Sequence, residues 1–154
     1  MRDRLSLLWE TSYPYLVAIL SGLMVRALPE KLPATLASGG INLSALYAAL
    51  FNVNIFGAGV MISVFVFTQA PAAGFIAKLE RLSLYQVFKR YLKEAVVVGL
   101  LAGVLCIPLS AASPQALMAS VMPAMSVVAI SLSVCFISLA YRVSRIFLFW
   151  TTTK

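Results

Sequence analysis

Two runs of more than forty residues, Leu32–Ala77 and Ala95–Tyr141, contain no Asp, Glu, Lys or Arg. A water-soluble helix is not apolar over such a length, so the medium around these segments is lipid. Turn and helix-stop residues divide the chain into four spans of about 11–28, 41–68, 95–109 and 115–141. Span one lies between Glu10 and the Arg26, Glu30, Lys31 cluster. Thr11 and Ser12 are placed to cap its start, Pro14 falls in its first turn, and Pro29 and Pro33 stop it. The connection through Ser38, Gly39 and Gly40 leads to span two, which is long for a hydrocarbon layer of about 30 Å and must tilt, kink near Gly57 and Gly59, or project beyond the lipid. Pro108 and the Ser110–Pro114 stretch form the turn between spans three and four, with Pro123 in the first turns of span four.

The dense run of charge between the two apolar stretches, Lys78–Glu94, is patterned as an amphipathic helix. Leu84, Phe88, Tyr91, Leu92 and Ala95 recur at helical spacing on one face, and Gln86, Lys89, Arg90, Lys93 and Glu94 fill the other. Ser83 and Gln86 have the spacing of a capping box. This segment is expected to lie at the membrane surface, or to project as an extension of span three. After Tyr141, the residues Val143, Ile146, Phe147 and Trp150 share a face, so the tail is expected to follow the headgroups. The fold class is therefore an all-α integral membrane protein, with four transmembrane helices in a single domain and a short amphipathic cytoplasmic helix between helices 2 and 3.

Composition agrees: 62% of residues are hydrophobic and the mean hydropathy is +0.96. The net charge of +7 would suggest nucleic acid in a soluble protein. Here it matches the excess of Lys and Arg on cytoplasmic loops, and no basic stretch is long enough to read a groove, so no direct nucleic-acid partner is expected. With both termini and the Lys78–Lys93 loop on one side, that side carries all Lys and Arg except Arg26 and Lys31. The positive-inside rule then places both termini in the cytoplasm of a cell with the chain in its inner (plasma) membrane. Arg2 and Arg4 before an apolar run imitate a signal peptide, but Glu10 and Arg26 interrupt that pattern, and a retained first span is expected.

Candidate chemistry is sparse. There is no histidine, and Cys106 and Cys135 both lie in apolar runs, so neither a metal site nor any cofactor is expected. No span carries an ionisable group in its middle, which argues against a proton-coupled transporter, and the span-four serines lack a base that would make one a nucleophile. The chain is expected not to be an enzyme.

Asn52 and Asn54 are the most polar groups at bilayer depth, about 200° apart on a helix, and suit either interhelical hydrogen bonding or the lining of a pore. Gly99 and Gly103 form a GxxxG pattern suited to close helix packing within the chain or between subunits. In span four, Ser120, Ser131 and Ser138 share a packing face, while Ser126 and Ser133 lie on another and are further candidates for lining a pore. The loop residues Lys78, Arg81, Lys89, Arg90 and Lys93, with the aromatic rings of Tyr85 and Phe88, form a candidate docking surface for a soluble cytoplasmic partner.

Two functions follow from these features. One is an oligomeric membrane subunit that anchors, senses or recruits a cytoplasmic partner. The other is a small homo-oligomeric channel or pore that permeabilises the membrane. The four spans, the basic Lys78–Lys93 loop and the short Arg142–Lys154 tail together resemble the small membrane subunits encoded beside a cytoplasmic effector in bacterial anti-phage defence, such as the Kiwa type. The resemblance covers the whole chain and rests on its plan. It implies a subunit that detects perturbation of the membrane and works with a soluble effector.

Overall fold

The computed structural model describes residues 2–27, 42–69, 83–113 and 121–152, with side-chain surroundings for 12–27, 42–68, 85–113 and 121–148. Nearly all of them are in four helices: α1 (Arg2–Ala27), α2 (Leu43–Gln69), α3 (Ser83–Ala111) and α4 (Met122–Thr152). No strand occurs among the described residues. The segments Leu43–Thr68, Tyr85–Ala111 and Met122–Leu148 are long and apolar enough to cross a membrane. At 1.5 Å per residue each extends about 40 Å, which exceeds a hydrocarbon layer of about 30 Å. The outer turns of each therefore reach the headgroups or beyond.

The helices differ from the expected spans in an instructive way. The amphipathic segment 78–94 and span three, 95–109, are not separate elements: from Ser83 onward the described part is the first three turns of α3. No glycine or proline interrupts Ser83–Val98, so the chain has no reason to stop being helical where it stops being charged. The change from charged to apolar sequence after Glu94 leaves the helical backbone unbroken. Of the expected apolar face, Phe88, Tyr91, Leu92 and Ala95 are all buried, Leu84 lies outside the described side chains, and Tyr85 is buried beside them. Pro108 likewise does not end the helix, which runs on to Ala111. It removes one hydrogen bond near the end of α3, where the helix tolerates it.

At the other end of the chain, the expected tail is the continuation of α4 to Thr152. Similarly, α1 begins at Arg2, so Thr11 and Ser12 cap nothing and Pro14 sits inside the helix. An interior proline ordinarily costs about 3 kcal/mol and bends the helix. The Pro14 ring is fully buried, which ties this weak point of α1 to the rest of the fold.

Successive helices alternate in direction. Gly57 of α2 and Gly99 of α3 meet at one level and Ile55 and Gly103 at the next, while Phe136 of α4 lies beside Gly99 and Arg142 beside Tyr91. The packing order across the bundle is α2, α3, α4, α1: α3 lies between α2 and α4, α1 packs on α4, and α2 touches α4 lightly. The interior has two apolar clusters. One surrounds Phe88, Leu92, Ala95, Phe136 and Leu139. The other surrounds Tyr47, Cys106, Leu109 and Ala129. The two cysteines lie one in each cluster, and both are free thiols.

Glycines set the closest approaches. A Cβ on Gly57 would fall 2.6 Å from the Phe136 ring, and one on Gly99 would fall 2.8 Å from two of its ring carbons and 3.2 Å from Ala58 Cβ. The Phe136 ring is therefore seated in a notch that two glycines on two different helices leave open. Gly103 admits Ile55 in the same manner, with its missing Cβ 2.6 Å from Ile55 Cδ1, so both glycines of the GxxxG pattern serve packing within the chain. On the far side, Gly22 of α1 lies directly against Ser131 of α4.

Filling the notch is expected to be costly. Gly99→Ala should destabilise the folded chain by about 1–3 kcal/mol, the usual range for overpacking, whereas the outward-facing Leu101→Val should stay within about 0.5 kcal/mol. Unfolding of the two variants in lipid-like micelles, followed by circular dichroism, measures the difference.

Candidate functional site

The end of the bundle that holds the start of α3 is strongly polar. Arg90 and Glu94, one turn apart on α3, pair at 2.8 Å from Nε to Oε1. The other carboxylate oxygen of Glu94 accepts a hydrogen bond from the Tyr15 hydroxyl of α1, also at 2.8 Å. Arg142 of α4 donates to the Tyr91 hydroxyl at 3.0 Å, with its guanidinium over the ring 5.1 Å from the centroid. Tyr85 donates to the Thr68 carbonyl at 2.9 Å, satisfying one of the carbonyls that the last turn of α2 leaves without an intrahelical partner. The ammonium groups of Lys89 and Lys93 stand over the rings of Tyr85 (4.6 Å) and Phe65 (5.8 Å). All four helices are thus laced together at this end through tyrosine, arginine and one carboxylate. Neither Tyr15 nor Glu94 is recognisable as part of such a network from spacing along the chain, because 79 residues separate them.

Of the seven residues expected to meet a partner, Lys78 and Arg81 lie outside the described residues. Tyr85 and Phe88 point inward, with 2% and 0% exposure, so their rings hold α3 in place and are out of a partner's reach. Arg90 and Lys93 are exposed and Lys89 is half-buried. Arg145, one turn past Tyr141 on α4, adds a further exposed cation at the same end. The outward surface here is therefore cationic, with its aromatic groups underneath.

A second polar site lies between the two apolar clusters. Asn54 of α2 and Ser133 of α4 are 0% and 1% exposed. Asn54 Nδ2 donates to Ser133 Oγ at 2.8 Å, and Ser133 passes its own proton to the Ala129 carbonyl at 2.8 Å. Asn54 Oδ1 has no partner among the described residues. A buried amide with one unmet acceptor costs free energy, so this pair sets helix register at some expense in stability.

The remaining candidates do not gather around Asn54. Asn52 faces outward on α2. Ser126, Ser131 and Ser138 each donate back to the carbonyl four residues earlier on α4, at 2.8–2.9 Å. Ser131 packs against Gly22 of α1, and Ser138 is buried seven residues further along. Ser120 lies outside the described residues. The four residues considered as pore-lining therefore divide between a buried bond (Asn54 and Ser133), a backbone hydrogen bond (Ser126) and the outer surface (Asn52). No cluster of His, Cys, Asp and Glu able to hold a metal occurs among the described residues.

The chain matches no protein-family model, no curated protein and no solved structure. Its described residues form four helices and no strand, and three of those helices are long and apolar enough to cross a bilayer.

The internal polar pair can be weighed by a double-mutant cycle. Ser133→Ala, which strips Asn54 of its only partner, should cost about 1–3 kcal/mol. Adding Asn54→Leu to it should cost less than the sum of the two single changes, with a coupling of about 0.6–1.7 kcal/mol. Equilibrium unfolding of the four proteins in micelles gives the coupling directly.

Proposed function

We propose that the chain is a non-enzymatic, oligomeric membrane subunit that recruits a cytoplasmic protein bearing an acidic surface. In this reading all four helices cross the inner membrane, α1 included, and both chain ends face the cytoplasm. The supporting observation is the segregation of charge. Among the side chains described, every Lys, Arg and Glu except Arg26 lies at the end where α3 begins and α4 ends, and Arg90, Lys93 and Arg145 are exposed there. The interlaced tyrosines and arginines beneath hold that cationic surface at fixed geometry, which favours binding by lowering the cost of ordering. A change in helix packing within the bilayer would reach the same surface through Tyr15–Glu94 and Arg142–Tyr91. The resemblance to Kiwa-type membrane subunits extends the reading to anti-phage defence, with membrane perturbation as the stimulus and a soluble effector as the partner.

A pore draws less support from this geometry. Asn54 donates to Ser133 and Ser133 donates to the α4 backbone, and the exposed face of each helix is predominantly apolar.

Reversing charge tests the recruitment reading. Lys89→Glu, Arg90→Glu and Lys93→Glu together should reduce the partner retained on purified native membranes by at least about tenfold, with the amount of inserted chain unchanged. Because Arg90 also binds Glu94, the pair Lys93→Glu and Arg145→Glu serves as a second variant that leaves that contact intact. Partner retention at wild-type levels in both variants contradicts the proposal.

A further inference from the structure

The outer face of α2 presents Ala45, Ala49, Asn52, Phe56, Gly59 and Ser63 in one stripe, and every one of these residues is exposed. As the end member of the packing order, α2 has no described helix on this side, and only 17% of its apolar window is buried. Phe56 is 77% exposed, and the space beside Gly59 is empty to 4 Å. Small residues alone would signify little. Asn52 changes the picture.

If the 26 residues of Leu43–Thr68 are centred in the bilayer, Asn52 lies about 5 Å from the midplane, and its side chain is too short to reach the headgroups. Its amide makes no hydrogen bond among the described residues, in contrast to Ser63, which bonds to the Gly59 carbonyl at 3.0 Å. Two N–H donors and one carbonyl acceptor thus face lipid hydrocarbon, where nothing can pair with them. A carboxamide is its own complement. Beside a two-fold axis along the membrane normal, each copy donates to the other's carbonyl. The residues flanking it suit the same arrangement, because Ala45 and Ala49 let the backbones approach and the vacant space at Gly59 can take a neighbour's Phe56 ring.

We infer that the outer face of α2 is a homodimer interface in which the Asn52 amides of two copies hydrogen-bond to each other within the bilayer. The inference rests on the membrane-subunit reading through the placement of α2 in lipid, and it supplies the oligomer's contact surface. It requires no other protein, and it leaves the cationic end of each copy free.

Cysteine cross-linking in native membranes tests it, using the full chain with its two buried native cysteines as the background. Ala45→Cys, Ala49→Cys and Ser63→Cys, oxidised with copper phenanthroline, should each give a dimer. Val97→Cys and Leu101→Cys, on the exposed side of α3, should not. Asn52→Leu should reduce dimer formed at Ala49→Cys by roughly fivefold or more, and Asn52→Gln should preserve it. Absence of dimer at all three α2 positions, equal dimer at the α3 positions, or indifference to Asn52→Leu would overturn the interface. A parallel reaction of Asn52→Cys with a membrane-impermeant maleimide separates the two levels of the proposal. Protection from the reagent keeps α2 in lipid whatever the cross-linking shows, and ready labelling removes α2 from the bilayer and the interface with it.

Discussion

Three of the four helices meet through one aromatic ring. Phe136 reaches from α4 into a space that exists only because residue 57 on α2 and residue 99 on α3 lack a Cβ. In lipid, burying apolar surface against protein gains little over leaving it against acyl chains, so close packing and hydrogen bonds must supply the association. The notch provides the first of these. It also sets the level at which α2 and α4 face each other, which brings Asn54 opposite Ser133 one turn away and makes the second possible. With the ring seated between them, α2 and α4 are held to α3 and touch each other only lightly, and no described helix covers the outer face of α2.

That division assigns different work to the two ends and the middle of the bundle. The middle carries the polar pair Asn54 and Ser133, which fixes register internally, and the outward amide of Asn52. The end that holds the start of α3 carries the charge, and there the interactions are of another kind. Tyrosines of α1 and α3 engage Glu94, Arg142 and Lys89, and the Phe65 ring of α2 lies under Lys93, so long cationic side chains are partly ordered. Such pairs add little to stability where they are exposed. Their consequence is geometric: α1 and α4 are tied directly to the part of α3 that carries the outward charge.

Much of the architecture is legible from the sequence because lipid imposes a coarse rule, that charge is excluded from the hydrocarbon. The uncharged runs give the helices, and the spacing of Phe88, Tyr91, Leu92 and Ala95 gives the buried face of α3 correctly. Element boundaries are less legible for the same reason. Charge reports a change in the solvent a segment suits, not a change in backbone, and α3 runs through Glu94 without a break. Pro14 misleads similarly, since a proline reads as a helix start and here lies within α1 under cover of tertiary packing. The 200° between Asn52 and Asn54 separates an inward amide from an outward one, but which is which depends on packing partners. The Tyr15–Glu94 bond and the burial of Tyr85 and Phe88 are tertiary facts, settled by helices far apart in the chain.

The most direct test of the account is the mass of the native assembly, measured on protein released from membranes with its lipid and weighed intact. The account predicts an even multiple of the 16.6 kDa chain accompanied by a soluble protein in fixed stoichiometry, released as salt is raised. A single 16.6 kDa chain with nothing attached, at low salt and in native lipid, would contradict it.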